Sequence, residues 1–76
     1  MALFKKTKKK SPQQKYCESL MEQITFASFN GKYAIYVAAE GVQEDWVYEF
    51  CSQRGYEVRA SHTSENITYY KIWGWG

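Results

Sequence analysis

The sequence predicts a small α+β domain of order αβαββ, with two helices packed on one face of a three-stranded mixed sheet. Two stretches repeat apolar residues at three- and four-residue spacing, and each ends at a helix-stopping glycine. Three β-rich segments lie between and after them. The chain has 76 residues, is 45% hydrophobic and carries three Trp, seven Tyr and four Phe, which suffices for one core and not for two.

The first helix starts where Ser11 can cap it, Pro12 takes the first helical position and Gln14 follows three residues after Ser11. Tyr16, Cys17, Leu20, Met21, Ile24 and Ala27 form its core stripe, Asn30-Gly31 ends it, and Phe26 and Phe29, outside the stripe, are expected to cap the end of the core, the alternative being exposure to a partner. Residues 32–38 read as a strand with Tyr33, Ile35 and Val37 under the helices and Ala34, Tyr36 and Ala38 on the far face. A second helix follows Glu40-Gly41. It has Glu44 and Asp45 in its first turn, Arg54 in its last and Gly55 as its stop, the arrangement the helix dipole favours. Val42, Trp46, Val47, Phe50 and Cys51 are its core stripe, with Tyr48 nearly opposite. Residues 56–61 and 67–73 are the second and third strands, joined in a hairpin through the polar turn 62–66. The handedness of strand–helix–strand units makes the first two strands parallel. The third lies either outside the second or between the two.

Charge divides the chain differently. Lys5, Lys6, Lys8, Lys9 and Lys10 crowd the first ten residues, which read as a flexible Lys-rich arm ahead of a domain spanning residues 11–76. That domain sets Lys15, Lys32, Arg54, Arg59 and Lys71 against all eight acidic residues and is net acidic. The arm's lysines read first as a solubilising tail and otherwise as candidate phosphate contacts, whose binding would weaken steeply with salt.

Catalytic chemistry finds little to stand on. His62 is the only histidine, and Cys17 and Cys51 lie 34 positions apart on the core faces of separate helices, so neither a four-ligand zinc site nor a thiol–imidazole pair is expected. Gly74 and Gly76 follow a strand and open no helix, which is not a phosphate loop. The expectation is a non-enzyme with no cofactor and no metal. Without a signal-peptide core or a run of about 20 apolar residues it is expected in the cytoplasm and off the membrane.

The face of the sheet turned away from the helices is the candidate site. With Tyr70 and Ile72 directed inward, Ile67, Tyr69, Lys71 and Trp73 share the outer face with Tyr36 and Arg59. This is an aromatic and basic platform, and exposed apolar patches of that kind mark interaction surfaces. Two partner classes follow. A protein, either a host protein or a second copy in a homo-oligomer, would use the aromatics as desolvated anchors and Arg59 and Lys71 for orientation. Alternatively, a nucleic acid or nucleotide would stack on the same rings while the arm contacts phosphates. The net acidic domain favours the first.

The helix ending in Asn30-Gly31-Lys32-Tyr33, the helix ending in Arg54-Gly55-Tyr56-Glu57-Val58 and the strand Tyr70-Lys71-Ile72-Trp73 together resemble small αβαββ accessory proteins of bacteriophages and mobile elements. The resemblance spans about residues 11–73 and rests on fold-determining spacing. It implies a protein made in a bacterial cytoplasm that binds, and can inhibit, a host protein; it carries over no functional residue.

Overall fold

The computed structural model of the chain describes residues 10–75. Its elements are α1 (Pro12–Phe29), β1 (Ala34–Glu40), α2 (Gln43–Arg54), β2 (Glu57–Ser64) and β3 (Ile67–Trp73). The α+β class and the αβαββ order are those read from the sequence. Four of the arm's lysines, Lys5, Lys6, Lys8 and Lys9, lie outside the described residues. Lys10 lies within them and pairs with Glu18 on α1, Nζ to Oε1 2.7 Å, where both side chains are about half exposed.

The Ser11 hydroxyl accepts a hydrogen bond from Gln14 N at 3.1 Å and Pro12 opens α1, so the predicted cap is present. At the other end Asn30 Nδ2 donates to Phe26 O at 2.7 Å, and the Lys32 amide returns to Ala27 O at 2.8 Å, closing carbonyls the helix leaves free. α2 ends on Gly55, whose left-handed backbone (φ 74°) lets the Tyr56 amide reach Cys51 O at 2.9 Å and turns the chain into β2.

Strand order is β1-β3-β2, and both pairings are antiparallel. β1 and β2 do run the same way, as the crossover requires, but β3 separates them, so the sheet is antiparallel and not mixed. The buried core comprises Leu20, Ile24 and Ala27 of α1, Val47, Phe50 and Cys51 of α2, and Ile35, Val37, Ala39, Tyr70 and Ile72 of the sheet, with Tyr16, Cys17, Tyr56, Val58 and Trp75 packed against it. Every strand residue in that group has the parity that faces the helices, so both helices cover the same side.

Five residues expected in or against the core are outside it. Tyr33 is 87% exposed because pairing begins at Ala34, opposite Trp73, and the chain turns away at Gly74, leaving Tyr33 no strand neighbour. Val42 precedes the first turn of α2 and is exposed, while the Gln43 side chain closes that turn by accepting from Glu40 N at 3.1 Å. Phe26 and Phe29 do not cap the core. They project from the back of α1, because the core arc is centred on Leu20, Ile24 and Ala27, and Met21 at the edge of that arc is exposed as well.

Phe50 is 1% exposed, with the Arg54 guanidinium 4.2 Å above its ring and Tyr56 6.1 Å away, whereas Tyr48 is half exposed and meets Tyr70 only edge-on at 5.3 Å. Phe50→Ala is therefore expected to cost about 3–5 kcal/mol by leaving a cavity. Tyr48→Ala should cost about 1 kcal/mol, roughly the value of one edge-to-face pair. Urea unfolding returning the reverse order would show that the phase of α2 is wrong.

The core also carries a pH dependence. Burial pushes the Cys51 thiol from 9.0 to about 11, partly offset by Arg54, and burial with the neighbouring Cys17 pushes the Tyr16 phenol from 10.0 to about 12. Tyr70 moves the same way, through burial and the hydrogen bond its hydroxyl donates to Glu44 Oε1 at 2.8 Å. In each case the folded state prefers the neutral form. Their contribution is complete below the unfolded values and is lost as pH rises toward the folded ones. Urea midpoints should therefore be level from neutral pH to about pH 9 and fall through about pH 11, more gently in Cys51→Ala and Tyr16→Phe. A flat profile across that range would exclude this linkage.

Candidate partner-binding face

β3 is the central strand, and alternation along it puts Ile67, Tyr69, Lys71 and Trp73 on the outer face. The register brings each of them a neighbour on both sides. Lys71 lies between Tyr36 and Arg59, Tyr69 between Ala38 and His62, Trp73 between Ala34 and Glu57, and Ile67 between Glu40 and Ser64. All six residues expected to form the platform thus share one face, and Tyr36, Lys71 and Arg59 form a single row across it. Arg59, Ala60, Ser61, Lys71 and Tyr36 surround a shallow depression of about 320 Å³ at its centre.

The face is organised laterally. Lys71 Nζ sits 5.4 Å from the centre of the Trp73 ring, and the His62 ring stacks on Tyr69 at 4.6 Å with an interplanar angle of 15°. These contacts leave Tyr69, Lys71 and Trp73 half-buried with no covering layer among the described residues, while Tyr36, on the edge strand, is 61% exposed. Trp75 does not lie over the face. Gly74 adopts φ 104°, and a Cβ there would meet Glu57 N at 3.1 Å; this turn carries Trp75 to the core side, where it packs edge-on against Tyr56 at 5.9 Å.

His62 is the face residue that sequence reasoning missed. By simple alternation from Arg59 it would point inward, and its sequence reads as the start of the polar turn 62–66. Ladder register slips between Ala60 and His62, so Ser61 is an extra residue and His62 pairs with outward Tyr69. A signal was available in strand length. Seven residues of β3 need a partner as long, and the turn contracts to Glu65-Asn66, with Glu65 at φ 57°.

Among the described residues no group of three or more His, Cys, Asp or Glu side chains is placed to hold a metal ion, and no helix is long and apolar enough to cross a membrane. Both thiols are shifted toward the neutral form. Cys51 is buried and its pKa raised, and burial raises that of Cys17 too. No family model, curated protein or solved structure matches the chain.

If Ser61 is the extra residue, deleting it converts the bulge into a regular ladder and leaves His62 opposite Tyr69. The His62 ring protons should keep the upfield ring-current displacement that stacking imposes, read by proton NMR. A return of those resonances to free-histidine positions would mean that another residue is the extra one.

Proposed function

We propose that this chain is a non-enzymatic binding module of the phage accessory type, acting in the cytoplasm of a bacterial host by docking a host protein on its outer sheet face and so inhibiting it. The observation that carries the reading is the central row of that face. Trp73, Tyr69, Tyr36 and Ile67 supply large apolar contacts around the two cations Lys71 and Arg59, on the sheet side opposite α1 and α2. Aromatic anchors beside arginine are the residue mix that dominates protein–protein binding energy.

The competing reading, base stacking on the same aromatics, is weakened by two contacts. One side of Tyr69 is already covered by His62, and Lys71 lies by the ring of Trp73, so a base would have to displace the protein's own groups. Lys10, the described member of the lysine run, is engaged with Glu18.

Trp73→Ala and Tyr69→Ala should each weaken capture of the host protein by about 2 kcal/mol or more while leaving the far-ultraviolet circular dichroism of the free chain unchanged. Replacing Lys5, Lys6, Lys8, Lys9 and Lys10 together by Ala should leave that complex largely intact. Titration calorimetry with the partner recovered from nuclease-treated lysate decides the matter. Loss of binding in the lysine variant with normal binding in both aromatic variants would replace this reading with the nucleic-acid one.

A further inference from the structure

The sheet ends in two free edges, and they are built differently. β2 carries the bulge at Ser61, the charges of Glu57 and Arg59 and a polar second half, devices that keep a stray strand from pairing with an edge. β1 carries none of them. From Ala34 to Ala39 it holds no charge, no proline and no register shift.

Two independent contacts fix which of its backbone groups face outward. Directly opposed residues in an antiparallel pair alternate between exchanging both hydrogen bonds and exchanging none. The Glu40 amide donates to Gln43 Oε1 at 3.1 Å, so Glu40 and Ile67 exchange none. The hairpin agrees. Its two-residue turn is closed by a hydrogen-bonded pair, Ser64 with Ile67, which spends the Ile67 groups on β2. Alternation then gives Ala38 with Tyr69, Tyr36 with Lys71 and Ala34 with Trp73 the character of Glu40 with Ile67, and the N–H and C=O of Ala34, Tyr36 and Ala38 point to the free edge. The Tyr16 hydroxyl, donating at 2.7 Å, takes the Ala38 carbonyl. Ala34 C=O, both groups of Tyr36 and Ala38 N–H are left without a partner among the described residues, and Tyr36 and Ala38 are exposed.

We propose that this edge receives a lone extended segment of another protein, added antiparallel to β1 and held mainly through its backbone. Donors and acceptors repeating every second residue match another extended chain. A segment of about five residues serves all of them: the residue opposite Tyr36 exchanges both bonds, and those two positions to either side reach Ala34 C=O and Ala38 N–H. Side-chain demands are few. The residue opposite Tyr36 falls on the outer face beside its ring, where aromatic and β-branched partners pair best, and the residues flanking it lie next to Ile35 and Val37 on the helix side. A second copy of β1 does not fit. Among the strands α1 packs chiefly on β1, and Tyr16 reaches the edge itself. A second β1 would bring its own α1 to the same side of the sheet, with strands about 4.8 Å apart where helix axes need about 8–10 Å. The segment therefore comes without a helix above it, as an exposed loop or tail does. The inference rests on the backbone and holds whatever occupies the outer face.

In the free chain the Tyr36 amide should exchange with solvent deuterium about 100-fold or more faster than that of Val37, which the alternation bonds to Tyr70. The probe is a blocked peptide of alternating Thr and Val, about seven residues long. Titrated at millimolar concentration against the isotope-labelled full chain, it should shift the amide resonances of Ala34, Tyr36 and Ala38 saturably and slow exchange at Tyr36. N-methylation of the Tyr36 nitrogen, introduced by chemical synthesis of the chain, should weaken peptide binding by about tenfold or more and leave circular dichroism native, because that N–H is outside the ladder. Tyr36→Ala keeps both backbone groups and should weaken binding by no more than about fivefold. The reverse order overturns the proposal and makes Tyr36 a side-chain anchor of the outer face. Absence of saturable shifts overturns it as well. So does a Tyr36 amide as slow as that of Val37 in the free chain, since the edge is then already filled: by a second copy if the N-methyl group disperses a dimer, by the arm if removal of residues 1–9 restores fast exchange.

Discussion

A three-stranded sheet with both helices on one side has an inner face whose apolar groups are satisfied and an outer face whose groups are not, and most of this molecule follows from that asymmetry. Burial of about 25 cal/mol per Å² of apolar surface drives Leu20, Ile24, Val47, Phe50 and Ile72 together. The same term acts on Tyr36, Tyr69 and Trp73 without a layer among the described residues to receive them. The chain's answer is lateral: histidine on tyrosine, lysine by tryptophan, a bulge that re-aims a ring. Such contacts shield some apolar area while keeping the face flat and accessible.

The placement of β3 makes this possible. As the middle strand it alone has neighbours on both edges, so its four outward side chains form the axis of the platform and the residues of β1 and β2 become its flanks. Had β3 lain outside β2, Tyr36 would have been two strands away from Lys71, and the tyrosine–lysine–arginine row would not exist. Topology therefore has chemical content here.

The elements whose boundaries depend on local chemistry were legible in the sequence. Ser11 and Pro12 start α1, Gly55 ends α2, and the parity of residues 67–73 assigns the outer face correctly once Ile72 and Tyr70 are buried. What was not legible depends on partners distant in sequence. Tyr33 has the β-propensity of its neighbours but lacks a strand opposite, since Gly74 has already turned the chain. His62 faces outward because of one extra residue, which alternation cannot register. Strand order is a choice among nearly equal local patterns, settled only by packing. Phe26 and Phe29 illustrate the reverse case. Their spacing excludes them from the core stripe, and both lie exposed on the back of α1.

The central position of β3 also sets an order of events in the life of the chain. β1 and β2 have no hydrogen-bonded contact with each other, and β3, which joins them, is the last of the three to leave the ribosome. Until Ile67–Trp73 emerges, two edge strands and two amphipathic helices share a half-built core with no sheet beneath it. The sheet therefore cannot be completed before synthesis passes residue 73. A message truncated anywhere before Ile67 would yield no smaller working version, only a segment with exposed apolar helices and unpaired strand edges, the form that proteases and chaperones are built to find.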